Sequence, residues 1–378
     1  MRGAGTVIPP RPALRSTRLT AHLGTALGIA VAVCFATGML SHLIQHPPSW
    51  FAWPAHPAWL YQLTQGAHVA SGVAAIPLTL LKLAVVYPKL FARPLIGSWR
   101  APAASLRRAA ERASIAVLVM AILFELSTGL LNIAQWYPWR FFFPTAHYAV
   151  AWVAAGSVAI HVAVKLPDIA AAYRRSPESE PVAGVSRRAV LFTGLSAAAL
   201  AALAVGGQSV PGLRRIAVFA PRSGDGPQGL PVNRTAAAAG VRAAAADPGF
   251  RLTVAGPRTV VLSLAELRAL PQATVRLPIA CVEGWTTWAT WTGVRVGDLA
   301  ALASAPDGAA LRFHSLETGL YGVSTLPAPH VRATESLLAL RVNGAELDLD
   351  HGYPCRLIAP SRPGVTQTKW VHRIEVLG

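Results

Sequence analysis

Five long apolar stretches, parted by short polar connections, occupy the first 207 residues, and short alternating runs occupy much of the remainder. The stretches lie near 20–43, 60–86, 113–134, 146–167 and 189–207. A helix needs roughly 20 apolar residues to cross the hydrocarbon core of a bilayer, so each stretch predicts a membrane span. Pro47, Pro48, Pro54 and Pro57 keep the connection between the first two spans non-helical, because proline lacks the N–H that a helix interior requires. The fifth stretch is alanine-rich and only weakly hydrophobic.

After Gly206-Gly207 the pattern changes. A Pro/Gly-rich linker runs over 208–231, and strand-like runs follow at 251–254, 259–262, 274–279, 311–314 and 374–376. Ser263 stands three residues before Glu266, the spacing of a capping box, and predicts a short helix over 263–268. The alanine runs 236–239 and 243–246 read as helical or loop filler. About 160 residues suffice for one compact domain with its own core. The expected fold class is therefore multi-domain: an all-α transmembrane bundle of about five helices, then an α+β, β-rich domain. The boundaries fall at 1–170 (membrane domain), 171–231 (inner-face loop, fifth span and linker) and 232–378 (outer domain).

Composition and charge sharpen this division. Hydrophobic residues make up 53% of the chain and charged residues only 13%, against about a quarter in an ordinary soluble domain. The formal charge of +17 is uneven: residues 1–214 hold 18 Lys+Arg against 5 Asp+Glu, and the rest hold 16 against 12. A nucleic-acid binder would gather its charge on a polar domain, whereas here it falls between apolar stretches. Arg2, Arg11, Arg15 and Arg18 precede span one. Lys89, Arg93, Arg100, Arg107, Arg108 and Arg112 follow span two, and Arg174, Arg175, Arg187 and Arg188 follow span four. By contrast, 44–59 has no Lys or Arg and 135–145 has only Arg140. The positive-inside rule then predicts a cytoplasmic N-terminus and an extracytoplasmic C-terminal domain. Trp50, Trp53, Trp59, Trp136, Tyr137 and Trp139 suit an aromatic belt at the outer interface. The first span is too long, and too soon followed by others, for a cleaved signal peptide. Ser186-Arg187-Arg188-Ala189-Val190-Leu191-Phe192 resembles a twin-arginine export signal inside the chain; the alternative is two more inner-face arginines.

Three cysteines make neither a disulfide framework nor a paired-ligand zinc site. Cys34 lies inside span one and Cys355 in a short strand-like run. Cys281 differs, because it follows the strand-like run 274–279 and precedes Val282-Glu283-Gly284-Trp285. Two readings stand: a soft thiolate for a heavy transition metal, or a small buried hydrophobe.

Histidines inside a bilayer are costly, so they mark function. His22 lies near the inner end of span one, and His68 lies a third of the way in from the outer end of span two. His147 opens span four at the outer face and His161 approaches its inner end. Fourteen residues of helix nearly return to one face and span about 21 Å. That depth suits two haems, with His22 and His161 as ligands of an inner haem and His68 and His147 of an outer one. Gly24, Gly28, Gly66, Gly72 and Gly156 would let porphyrins approach the backbone. Inter-helix hydrogen bonding is the alternative, and His42 or His46 could replace an outer ligand. No Cys-x-x-Cys-His occurs, which excludes covalent c-type haem. Glu125, near the middle of span three, is a candidate for a proton route or quinone site, or else a neutral helix contact. Across about 150 residues the histidine spacing resembles the four-helix di-haem cytochrome b subunits of membrane oxidoreductases such as formate dehydrogenase.

The C-terminal motifs point the same way. They are Cys281-Val282-Glu283-Gly284-Trp285, Trp291-Thr292-Gly293-Val294, Leu337-Leu338-Ala339-Leu340-Arg341-Val342-Asn343-Gly344 and His351-Gly352-Tyr353-Pro354-Cys355-Arg356-Leu357. Pro363-Gly364 and Thr368-Lys369-Trp370 close the series. Together they resemble the molybdopterin-binding domain of the sulfite oxidase superfamily, over about 230–378. The resemblance implies that Cys281 ligates molybdenum beside the pterin dithiolene. It also implies that His351, Arg356, Gln367, Thr368 and Lys369 hold the pterin phosphate, and that Ser315 and Asn233 contact the cofactor. Where animal and plant members carry an arginine pair after a Cys-Ala-Gly-Asn run, this chain has Glu-Gly-Trp. Thr366 stands where many have a basic residue. The Cys-Val-Glu-Gly-Trp form is nearer the bacterial periplasmic subunit that reduces methionine sulfoxide, which works with a separate haem membrane subunit.

The expectation is a multi-pass enzyme of a bacterial plasma membrane, with Mo-molybdopterin outside and two b-type haems passing electrons to or from a quinone pool. Its substrate would be a small-molecule or protein-bound oxo-transfer partner; nucleic acid is not expected, and the oligomeric state stays open. Tyr321 and Arg312 are candidate pocket groups, or an ordinary sheet-edge aromatic and a solvated charge. Glu283 is a candidate acid or a hydrogen-bond acceptor. The rival readings are a cofactor-poor electron-transfer or sensor protein, and a molybdoenzyme whose helices are only an anchor.

Overall fold

The computed structural model describes residues 16–90, 102–174, 186–209, 212–220 and 226–377. Arg2, Arg11, Arg15, Arg93, Arg100 and Arg175, used in the charge argument, lie outside the described residues. Five long helices appear: α1 (Thr17–Gln45), α2 (Leu60–Leu90), α3 (Pro102–Ile133), α4 (Phe143–Arg174) and α5 (Arg187–Gly206). All five are long and apolar enough to cross a membrane. Helix α3 begins some ten residues before the apolar stretch. Its first turns are built from alanine, arginine and glutamate, strong helix formers that carry no hydropathy signal. Helix α4 likewise continues through Pro167 to Arg174.

The described chain forms two compact units. One gathers Met1–Ala36 with His68–Val205, and the other gathers Thr37–Ala67 with Gly206–Gly378. In the first, Leu19 and Leu23 of α1 pack with Val85 of α2 and Val190 of α5. Ala121 and Ile122 of α3 pack on Ala154 of α4, and these small contact residues let the two helices approach closely. Large apolar side chains such as Ile29, Leu80, Met120, Ile160 and Phe192 face outward.

The second unit carries ten strands: β1 (Arg251–Ala255), β2 (Val260–Ser263), β3 (Gln272–Ala280), β4 (Thr286–Arg295), β5 (Ala310–Ser315), β6 (Val323–Leu326), β7 (Leu337–Val342), β8 (Ala345–Glu346), β9 (Arg356–Ile358) and β10 (Val371–Leu377). One sheet has the order β2-β1-β10-β5-β6; in the other, β3-β4-β7-β8, strand β9 also pairs with β7. Strand β1 runs parallel to β10, and the other pairs are antiparallel. Alternate side chains of β1 and β5 point inward, as a half-buried strand requires. Leu252, Phe313 and Ile374 of the first sheet meet Val294, Leu338 and Leu357 of the second in one core. The expected helix is present as Leu264–Ala269, and the Ser263–Glu266 capping box forms in both directions. Of the alanine runs, only Arg242–Ala245 is helical.

The connection between α1 and α2 also packs in this unit. Trp53 Nε1 donates to the main-chain oxygen and Oγ of Ser361, both at 2.9 Å, and Ser361 N donates to Ala58 O at 3.0 Å. Ile44 and Tyr61 bury against Ala280, the last residue of β3.

Candidate cofactor site

Strand β3 ends at Ala280 and the chain reverses into β4 through Cys281–Trp285. The turn is closed by Cys281 N donating to Trp285 O (2.9 Å) and Gly284 N donating to Cys281 O (3.1 Å). Gly284 takes φ 92°, a conformation that side chains disfavour. From below, Ala280 bridges to Pro363, and Gly364 lies against the Cys281 main chain. This stacking leaves Cys281 1% exposed. Burial first, and then the Glu283 carboxylate, push its thiol well above the ordinary range. Left alone it is an inert thiol, whereas bound metal deprotonates a thiol outright.

A cavity of about 20 Å³ opens beside it. Cys281, Asn233, His351, Arg356 and Lys369 line this cavity together, although they come from four separate stretches of the chain. Trp285, Thr287 and Gly364 also line it. Arg356 is 3% exposed. Its guanidinium donates only to main-chain oxygens, those of His351 and Gln367 (3.1 Å each), and its Nε is buried without a partner. Lys369 Nζ donates to the main-chain oxygens of Arg234 (2.8 Å) and Asp350 (2.7 Å). Neither cation has an ion pair among the described residues. Burial, unrelieved by a partner, lowers Arg356 to about 9. Burial and the neighbouring Arg356 charge lower Lys369 to about 7. A buried guanidinium and a half-buried ammonium beside a buried thiol, with no carboxylate paired to either cation, form an environment waiting for an anion. Gly352, at φ 105°, sits where a Cβ would press on the Cβ atoms of Lys369 (3.0 Å) and Arg356 (3.1 Å), so glycine lets the two cationic segments close together.

The other expected contacts are arranged around this group. His351 donates through Nε2 to Pro227 O at 2.7 Å, and burial lowers it to about 4. It is therefore neutral, with Nδ1 left as an acceptor. Gln367 donates to Arg362 O (3.1 Å) and leaves its Oε1 buried and unpartnered. Thr368 shares a 2.6 Å hydrogen bond with Ser324, and its carbonyl accepts from Leu357 N. Ser315 stands behind the site: it donates to Lys369 O (2.8 Å) and accepts from Glu317 N (3.0 Å), which sets the Lys369 segment. Thr366 caps its own short turn by donating to Pro363 O. Glu283 accepts from Trp285 Nε1 at 3.1 Å, as an orienting acceptor would. Arg312 pairs with Glu375 on the first sheet and does not line the cavity. Tyr321 is half-exposed on the turn after β5.

Sequence reasoning missed the Arg234–Glu317 ion pair, in which a nearly buried glutamate neutralises the cation beside Lys369. It also missed Gln65, whose Nε2 donates to Val282 O at 3.3 Å. A polar side chain inside an apolar span was the available signal for the latter.

Among the helices, His68 and His147 come together, with ring centroids 6.3 Å apart. The Nδ1 of His68 lies 2.9 Å from Cys34 O, and that of His147 lies 2.9 Å from Thr128 Oγ1. Glu125 is placed against His147, its Oε2 3.1 Å from Nε2. His22 Nδ1 lies 2.7 Å from Arg18 O, and its ring packs on Tyr173 (4.8 Å) rather than on His161. His42 and His46 lie against each other, 4.9 Å apart. An added Cβ would meet open space at Gly28, Gly66 and Gly156, whereas Lys82 fills that space at Gly24 and Cys34 abuts Gly72.

Residues 239–378 match the family described as oxidoreductase molybdopterin binding domain. The chain is 31% identical over 161 residues to sulfite oxidase of Gallus gallus, covering 34% of each protein. It is 32% identical over 117 residues to the uncharacterized oxidoreductase YuiH of Bacillus subtilis, covering 31% of this chain and 58% of that one. It thus spans less than two thirds of either curated relative. Among solved structures, the sulfane dehydrogenase SoxCD of Paracoccus pantotrophus aligns with a TM-score of 0.32 and 23% identity, over 34% of this chain and 38% of that one. The C-terminal region is thus a molybdopterin-binding domain of sulfite oxidase type.

Proposed function

We propose that this chain is a membrane-anchored, molybdopterin-dependent oxidoreductase whose C-terminal domain works outside the membrane. The observation that carries the reading is the cavity that joins buried Cys281 to buried Arg356 and half-buried Lys369, two cations with no ion-paired acid. Bound molybdopterin would supply a metal that exchanges two electrons and an oxo group with substrate. Cys281 would hold the metal as a thiolate. Arg356 and Lys369 would hold the phosphate, with the guanidinium fixed in direction by its two carbonyl acceptors. Neutral His351 fits the role of an acceptor toward a pterin N–H better than that of a phosphate donor. Gln367 Oε1 is a second orphaned acceptor of this kind, while Thr368 and Ser315 fix the segment that carries Lys369. Asn233 lines the same cavity.

The outward apolar side chains of the five helices favour a lipid solvent, because a water-soluble surface seldom exposes so continuous an apolar area. The pairing of His68 with His147 favours b-type haem over a bare anchor. Both rings engage Nδ1 with oxygen acceptors, which is how metal-ligating histidines are commonly oriented. His68 and His147 would be the residues to hold such a haem, which would supply one-electron transfer. Glu125 must release His147 Nε2 for that role and then stands free to handle protons near a quinone. His22 and His161 would hold the inner haem, and the arginine-rich connections orient the N-terminus toward the cytoplasm.

Metal analysis of protein produced with molybdate tests the reading. About one molybdenum per chain is expected in wild type, and at least tenfold less in Cys281→Ser. Metal-free wild-type protein would sink the proposal in favour of a sensor or electron-transfer role. A reduced-minus-oxidised spectrum without b-type bands would leave the enzyme standing but reduce the helices to an anchor.

A further inference from the structure

We propose that Gln65 is a positioning residue for the Cys281 turn: its carboxamide, donated to the Val282 carbonyl, fixes the direction in which Cys281 presents its sulfur. The proposal rests on Cys281 being the metal ligand.

The turn satisfies its own groups only in part. Its two internal bonds use the Cys281 and Gly284 N–H groups and the Cys281 and Trp285 carbonyls. The carbonyls of Val282 and Gly284 are instead received by glutamines from outside the β-domain sequence. Gln65 Nε2 donates to Val282 O at 3.3 Å, and Gln208 Nε2 donates to Gly284 O at 3.2 Å. The Gln65 amide is itself oriented. Its Oε1 accepts from Tyr61 OH (3.3 Å) and Ser41 Oγ (3.4 Å), and those two hydroxyls are 3.0 Å apart. With Oε1 turned to this hydroxyl pair, Nε2 is the atom that faces Val282. Ser41, Tyr61 and Gln65 are all buried, and Ile44 and Tyr61 pack on Ala280 immediately before the turn. The bond itself is half-buried, and losing it leaves the Val282 carbonyl without its protein partner beside a buried thiol. Outer partners of this kind set the orientation of metal ligands, and removing one commonly changes affinity or activity by about 10- to 100-fold.

The paramagnetic resonance spectrum of partly reduced full-length protein in detergent tests this, with the signal normalised to bound molybdenum. Its parameters depend on the metal–sulfur geometry, which a merely structural role would leave unmoved. Gln65→Leu is expected to give a signal displaced from that of wild type. Tyr61→Phe, which frees one hold on the amide at little cost in volume, should displace it in the same direction by less. A Gln65→Leu signal superimposable on wild type overturns the proposal. Should Gln65→Leu fail to fold, Tyr61→Phe decides alone, and a superimposable spectrum again overturns it. Wild-type protein without molybdenum would contradict the assignment of Cys281 instead, so the two failures are distinguishable.

Discussion

At the scale of single residues, Lys369 makes the sharpest claim. Its amine falls from an ordinary 10.5 to about 7 in the cofactor-free domain. Between those values the unfolded chain binds one more proton than the folded one, so the cofactor-free domain gains stability as pH rises through that window. A phosphate wants the ammonium, so the sign reverses for binding: at and below about pH 7 the charge is present, and above it binding must also recruit a proton. Arg356, at about 9, stays charged and His351, at about 4, stays neutral across pH 6.5–8.5. Cofactor affinity of wild type is therefore expected to fall between about pH 7 and 8.5, by up to tenfold per unit. Lys369→Gln removes a charge-assisted bond worth about 1.5–3 kcal/mol, roughly ten- to hundredfold in retention, and should flatten the profile. Molybdenum retained after gel filtration at each pH measures both effects. The identities of Cys281, Arg356 and Lys369 were legible in the motifs. Two further facts were not: the hydrogen bonds of Lys369 Nζ go to main-chain carbonyls, and Ser315 faces the Lys369 main chain rather than the cavity. Such facts depend on strands β5, β9 and β10 meeting, which no local pattern encodes.

At the scale of elements, Gly352 and Ser263 separate geometry that serves the site from geometry that serves the fold. Gly352→Ala would force a φ of 105° on a side-chain-bearing residue and press a Cβ between those of Arg356 and Lys369. Such strain costs about 1–3 kcal/mol and should lower cofactor loading along with the unfolding temperature. Ser263→Ala removes a formed capping box, for about 1 kcal/mol, far from the cavity. It should lower the unfolding temperature at unchanged molybdenum content, so parallel unfolding and metal measurements on the two variants distinguish the roles. The strands read from alternation lie within a few residues of β1, β2, β3, β5 and β10. Strand β4 was hidden, because its run Thr286–Arg295 mixes threonine, tryptophan and glycine in what reads as the end of a turn. It pairs with β3 from Thr286 to Val294, so cross-strand contacts rather than a hydrophobic period define it. The early start of α3 was hidden for the opposite reason: helix propensity without hydropathy is silent to a search for spans.

At the scale of the whole molecule, the five helices were the most legible feature and the pairing of their histidines the least. Hydropathy reports where a helix lies along the chain, but fourteen-residue spacing reports only that two side chains share a face. His68 and His147 meet as that spacing and their depth suggest, whereas His22 lies on Tyr173, three turns beyond His161 on α4. If two haems are bound, each ligand pair must fail as a pair, because one missing imidazole leaves its iron without an axial bond. His68→Ala and His147→Ala are therefore expected to remove the same half of the haem, counted as its pyridine complex, and to leave molybdenum content unchanged. His22→Ala and His161→Ala should each remove the other half. If His22→Ala kept full haem while His161→Ala did not, the Tyr173 contact would be the resting place of His22, and the inner ligand would lie elsewhere on α1 or α2. Full haem in both His68→Ala and His147→Ala would end the haem reading of that pair and make Glu125–His147 a structural contact. Loss of molybdenum in any of the four would instead mean that the cofactor domain depends on the helices for its folding.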